Sequence, residues 1–512
     1  MTLTARQRRT RNNLAKILKM IQHEELVAAM WAVRALQSGR VAAGRRLIRD
    51  FPLEGATPDL KSKYAFYPWR IEILINELFS EGEGQIKDLE RKRVNLSSFN
   101  GISLVSNKLY EAECADDAAS IDGDMHILNQ MHRIIHLQTE WQSGFLKYSN
   151  FYRAGFLYGG VLSRGTFKTR SGVDLELFTK AIFYLYAIYQ NNSGIRLDNE
   201  RGIVDIDPND LNTIMKHISI SKKDAAAKSK QLRNWKDHIS YRKSFLRQWP
   251  VISFDSIYYC PLPELLILRI GSGLYYDLIS QDGAVRNEIS NNFELYIRNL
   301  LEAVFFRNLP QAHNYRVGRN RLDAPDIIIE QGEGVAIVLE CKATRMSFEA
   351  MFAENPIDEA QRGYGEIIKG VFQVWRYCMH CRLGLTGRNL NIDARGIVLT
   401  LDPWLMTANL LQDEIIDRAK ALFNDRCPEG LEEDCIPMVF CPVVELEVMC
   451  NKATRESLIA TIDFASEQRY KGFHLSTVHK LEFPDVNENR PYAFSGRMSD
   501  VWPWWGAEEN DQ

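Results

Sequence analysis

No apolar run in the 512-residue chain approaches the about 20 residues a helix needs to cross a bilayer. The longest, at 264–270 and 334–339, are short and interrupted or flanked by charge. The opening stretch MTLTARQRRTRNNLAK is basic but has no apolar core and no small-residue cleavage site, so it does not read as a secretory signal. Cysteine is sparse and odd in number. The nine thiols, at 114, 260, 341, 378, 381, 427, 435, 441 and 450, show no framework spacing. Together with the missing signal, they lead us to expect reduced thiols and a cytoplasmic protein. There is no internal repeat at a solenoid period, no Walker A loop and no Gly-x-Ser-x-Gly elbow, so solenoid, P-loop ATPase and esterase readings have no support. An excess of one charge is also lacking: 63 Lys and Arg against 66 Asp and Glu leave a net −3, which excludes a uniformly basic nucleic-acid coat protein. What is present is enough to bury a core. The chain is 45% hydrophobic and 11% aromatic, which excludes disorder as its main state.

The near-neutral total hides a segregation. Residues 1–50 carry a net +8 and residues 216–247 another +8, which leaves −19 for the remainder. Such a division suits a soluble protein with one face turned to a polyanion. Apolar spacing near 3.6 residues predicts helices within 1–50, over 69–79, within 116–148 and over 174–191. The Gly155–Gly165 stretch (GFLYGGVLSRG) reads as a phosphate-cradling turn or as a closely packed strand or loop. From about residue 251 short β-branched runs at 327–329, 335–339, 396–401 and 438–444 alternate with helix-length segments at 290–307, 358–382 and 408–424. The expected fold class is α+β and multidomain. A mostly helical region (1–250) for recognition, partner binding or sensing precedes a mixed-sheet domain (285–450), and an extension (451–512) ends in an aromatic cluster and an acidic tail.

The stretch LDAPDIIIEQGEGVAIVLECKA, residues 322–343, carries the chemistry. Read as a hairpin, it sets Asp326 at the start of one strand beside Glu340 near the end of the next. Lys342 shares the face of Glu340, because strand side chains alternate with period two. Two carboxylates and a backbone carbonyl suit a hard cation that keeps several waters. Such a cation offsets phosphate charge and acidifies a water nucleophile, while a lysine orients that water or takes its proton and screens developing charge.

Pro325-Asp326, then Glu340 fourteen residues on, then Cys341 and Lys342, resembles the PD-(D/E)XK nuclease superfamily. The resemblance covers residues 285–450 and implies an α/β/α restriction-endonuclease-like domain with a mixed central sheet. The family cuts DNA, less often RNA, with Mg2+, for which Mn2+ is a substitute. It also implies roles by position: Asp326 and Glu340 as metal ligands with the Cys341 carbonyl, Lys342 as catalytic lysine, Glu294 as accessory carboxylate and Gln373 as phosphate-orienting residue. Gln373 and Tyr377 resemble the Gln-x-x-x-Tyr element of the exonuclease branch. Lys369 shares their helical face and, with Tyr377, is expected to face nucleic acid. Large members with unfamiliar N-terminal regions often look like restriction or anti-phage defence effectors, which is an analogy only. The alternative is a non-catalytic nucleic-acid-binding or assembly subunit that kept the fold.

The basic segment 216–247 interleaves its charges with Trp235, Tyr241, Phe245 and Trp249. Lys228, Lys230, Arg233, Arg242 and Lys243 read as nucleic-acid contacts; the alternative is a solvated amphipathic helix with core aromatics. His132 and His136, one turn apart, and the Cys378–Cys381 pair read as structural rather than as zinc ligands. DNA is the expected partner, with RNA, a separately encoded protein and self-association left open.

Overall fold

The computed structural model describes residues 3–83, 94–120, 124–197, 206–279, 283–311, 314–353, 356–405 and 409–506. The chain is α+β and divides into two compact units: residues 1–127, 137–154 and 163–280, and residues 128–136, 155–162 and 281–512.

The first unit is mostly helical. Its opening helix, Ala5–Leu18, starts at a capping box in which Thr4 and Gln7 satisfy each other's backbone N–H groups. Helices His23–Gln37 and Pro68–Glu81 follow, the latter with proline at a position where a missing N–H costs nothing. Leu26, Met30 and Val33 share one buried cluster with Ile71, Ile75 and Leu78. A small sheet completes the unit from β1 (Gly194–Ile195), β2 (Ser219–Ser221), β3 (Val251–Phe254) and β4 (Ile257–Tyr259), in the order β1-β4-β3-β2. The division after 280, rather than at the expected 250, follows from this pairing: β3 and β4 lock residues 251–259 between β2 and β1.

The second unit contains a hairpin of β5 (Tyr315–Val317) and β6 (Asn320–Leu322) and a four-stranded sheet in the order β10-β9-β8-β7. Here β7 (Ile327–Gln331) is antiparallel to β8 (Gly334–Lys342), whereas β8, β9 (Leu390–Thr400) and β10 (Met438–Pro442) are parallel. The parallel step from β8 to β9 is made through the helix Gln361–Arg382, and such a crossover runs its helix back across the sheet. Ile328, Val338 and Val398 join that helix in one core cluster. The alternate residues Ile327, Leu339 and Ile397 are equally buried on the other face, where Gly283–Val304 packs on β8 and Arg455–Ala465 on β9. Each such side chain contributes about 2 kcal/mol of burial, so the sheet is firmly held from both sides.

At two further places the structure chooses between open readings. Within Gly155–Gly165 there is no phosphate turn or strand but a closely packed break between helices Tyr148–Tyr158 and Val161–Ser171. A Cβ on Gly160 would strike the Glu288 carboxylate at 2.3 Å, and Glu288 accepts from the Leu162 N–H at 3.0 Å, so the chain's own anion fills this place. The terminal aromatics do not stand apart: Trp502 is fully buried, packed where Gly155 leaves no room for a Cβ.

Candidate active site

Asp326 immediately precedes β7, and Ile327 pairs with Leu339, so Asp326 stands level with Glu340 on the same face of the antiparallel pair. Its Oδ2 accepts from the Cys341 N–H at 2.6 Å, which ties the loop end to β8. Glu340 and Lys342, two residues apart near the end of β8, point together: Lys342 Nζ donates to Glu340 Oε1 at 2.9 Å. A second acceptor comes from across the layer, where Gln373 Oε1 of Gln361–Arg382 lies 2.9 Å from the same Nζ. Glu294, on Gly283–Val304, is near enough for its charge to raise Asp326 and for Glu340 to raise it in turn.

Glu340 is only 5% exposed, and Lys342 is nearly as enclosed. Burial, followed by repulsion from Glu340 and Glu294, holds the Asp326 carboxyl well above its ordinary value. Burial and then Glu340 raise Glu294, and burial raises Glu340 against the pull of Lys342. Lys342 is the counterweight. Burial alone would lower it, but Glu340 and Asp326 outweigh burial and raise it, so at neutral pH its amine is an ammonium. In this state it is a positive charge rather than a general base.

These residues fit a hard divalent cation. Asp326 and Glu340 stand side by side with an ammonium next to them, carboxylate oxygens are the donors such a cation takes, and burial is the first cause that raises both. Among the described residues no group of three or more His, Cys, Asp or Glu side chains stands at metal-ligating spacing. The expected ligand set is not of that kind, since it is two carboxylates and the Cys341 carbonyl. The Cys341 thiol is buried, and burial keeps it protonated.

The other expected contacts divide. Lys369 is exposed one turn before Gln373. Tyr377 shares that spacing but not that setting: it is 3% exposed, its ring 5.9 Å from that of Tyr315. It is a core residue, because the helix runs back over the sheet and the β5–β6 hairpin covers its later turns.

In the first unit Arg242 is buried, with Nη1 2.6 Å from Glu77, and Arg233 pairs with Glu77 and Glu81. Neither guanidinium is available to phosphate, which corrects both expectations. Arg247 is held in the same way by Glu72 and Glu140. Tyr241 and Phe245 are core, whereas Lys230 and Lys243 are exposed and Lys228 lies 5.9 Å from the Trp249 ring centroid. His132 bonds the Ala350 carbonyl at 2.9 Å with His136 edge-on beside it, and Cys378 and Cys381 are buried thiols.

Two residues escaped the sequence reading. Gly370 lies against the Lys342 stem, where a Cβ would meet Lys342 Cε at 3.0 Å; a glycine inside an otherwise regular helix was the available signal. Arg298, one turn after Glu294, donates to the carbonyls of Leu309 and Pro310 and, at 3.4 Å, of Asp326. Its spacing from Glu294 was the only hint. Comparisons with protein-family models, curated proteins and solved structures found no match.

Proposed function

We propose that the chain is a divalent-metal-dependent nuclease that hydrolyses phosphodiester bonds, most readily those of DNA, by a site of PD-(D/E)XK type. One observation carries the reading: Asp326 and Glu340 stand side by side at the end of β8, next to an ammonium that both Glu340 and Gln373 hold. Asp326, Glu340 and the Cys341 carbonyl would hold Mg2+, or Mn2+ in its place. When bound, the metal supplies charge neutralisation at phosphorus and a more acidic water.

The chain's own residues do the rest. Lys342 sets a fixed positive charge beside the site, where a preorganised donor offsets the charge that builds as phosphorus is attacked. Gln373 and Glu340 hold that amine in one place, and the Cys341 N–H fixes the Asp326 carboxylate. Glu294 adds negative charge on the side of Gly283–Val304, where it would orient water or a bound metal. Attack by water at phosphorus leaves 5′-phosphate and 3′-hydroxyl ends, and a restriction or anti-phage defence role follows only by analogy.

The test is cleavage of supercoiled plasmid with and without Mg2+, alongside Asp326→Ala and Lys342→Ala. Both substitutions are expected to remove metal-dependent nicking. Cleavage at the wild-type rate in both would overturn the site.

A further inference from the structure

Both basic segments of the sequence lie in the first unit, and one residue joins them. Arg11, buried on Ala5–Leu18, forms an ion pair with Asp116 and donates to the backbone carbonyls of Trp235 at 2.5 Å and Asp237 at 2.9 Å. The N-terminal helix is thereby stitched to the 233–238 loop. Arg8, one turn before Arg11, is exposed on the adjoining surface.

The arginines of the second segment are used internally. The acidic residues of Pro68–Glu81 absorb them: Arg247 on Glu72, Arg242 on Glu77, Arg233 on Glu77 and Glu81. Three of the lysines are left outside. Lys223, Lys230 and Lys236 are exposed and form no ion pair with any described residue. Among them stands Trp235, 47% exposed, with the Arg233 guanidinium 3.6 Å from its ring centroid. Of the acidic residues on this stretch and its neighbour, Asp117 bonds His238 and Asp237 accepts from Asn234.

The exposed indole of Trp235 is held stiff. Its backbone carbonyl is held by Arg11, and its ring lies on a guanidinium that two glutamates lock. A rigid exposed aromatic face with exposed lysines at nearby positions in the chain, Lys230 and Lys236, matches a polyanion whose bases are unstacked; in a duplex the bases already stack on one another.

We propose that Trp235 is a stacking platform for the unpaired bases of single-stranded DNA, with Lys230, Lys236 and Arg8 taking the flanking phosphates. The inference rests on the proposed nuclease function for its choice of nucleic acid as partner. It adds strandedness and a recognition residue in the other unit.

Fluorescence anisotropy on the full chain in EDTA, with a labelled oligothymidylate and a hairpin duplex of similar length, tests it. Trp235→Ala should weaken single-strand binding about tenfold, and duplex binding much less. Trp235→Leu keeps an apolar cover over Arg233 but removes the π face, so it should lose binding as the alanine variant does. Trp235→Phe should retain most of it. Lys230→Ala with Lys236→Ala should flatten the salt dependence by about two phosphate contacts. Unchanged single-strand affinity in Trp235→Leu, or an equal loss on single strand and duplex, would overturn the platform. Because EDTA prevents cleavage, a failed plasmid assay would sink the nuclease reading without touching this one, and unchanged binding would do the reverse.

Discussion

Replacing Gly370 by alanine separates the stability of the second unit from the placement of its lysine. In the interior of a helix the exchange of glycine for alanine is worth about 1 kcal/mol in favour of the helix. Against this, the added Cβ would meet Lys342 Cε at 3.0 Å and the Val398 methyls at 3.4 Å. The valine contacts are ordinary. The lysine contact is tight, and the stem has little freedom to give, because its Nζ is held at 2.9 Å by both Glu340 and Gln373. A shift of a few tenths of an ångström breaks or lengthens one of those bonds, and mild overpacking costs about 1 kcal/mol. The two terms nearly cancel, so Gly370→Ala should melt within about 3 °C of wild type. Its cleavage rate should nonetheless fall about tenfold, since sub-ångström displacement of a catalytic charge is felt in the rate. Thermal denaturation beside single-turnover plasmid cleavage reads both quantities. A variant that is as stable and as fast as wild type would show that the position of the Lys342 amine does not matter, and would remove the electrostatic role assigned to it.

The raised carboxylates predict a pH-dependent response to metal. A folded-state pKa above the unfolded value gives stability that is complete below the ordinary carboxylate range and is lost as pH rises through the folded values. Mg2+ at about 100 times its Kd should restore about 2.7 kcal/mol at pH 8, a rise of about 5–10 °C in Tm. It should restore less at pH 5, nearer the range where protons compete with the metal for carboxylates, the raised Asp326 among them. The same gain in Asp326→Asn, or a larger gain at pH 5, would contradict the ligand assignment. Arg242→Met should act on the fold, since it leaves Glu77 buried with only the shared Arg233. Breaking such a pair costs about 3–5 kcal/mol, seen as a Tm lowered by about 10 °C or more. A variant of wild-type Tm with weakened DNA binding would return Arg242 to the surface.

Much of the candidate site was legible before any coordinates. The β-branched runs on either side of Gln331–Gly334 mark β7 and β8, and a period of two puts Glu340 and Lys342 on one face wherever that strand lies. Helical spacing likewise related Lys369, Gln373 and Tyr377. Spacing says which residues share a face but not what lies opposite each turn: Gln373 meets Lys342, while Tyr377, one turn on, meets Tyr315. Gly370 stands out in the sequence as a glycine inside a helix, but its role does not, because that role is the absence of an atom next to a strand that ends 28 residues earlier in the chain.

By itself, then, the sequence determined what local periodicity and composition decide: an α+β chain, helices first, and a carboxylate–lysine strand pair after residue 320. Only the tertiary structure decided which charges are free. Ten basic residues in 216–247 look alike in sequence, yet the arginines at 233, 242 and 247 are spent on a helix more than 150 residues away, whereas Lys223, Lys230 and Lys236 form no ion pair with any described residue. The physical reason is that a guanidinium meets a buried carboxylate through several fixed donors and tolerates desolvation better than a strongly hydrated ammonium. Which residue finds a carboxylate is set by packing, and no run of sequence records it.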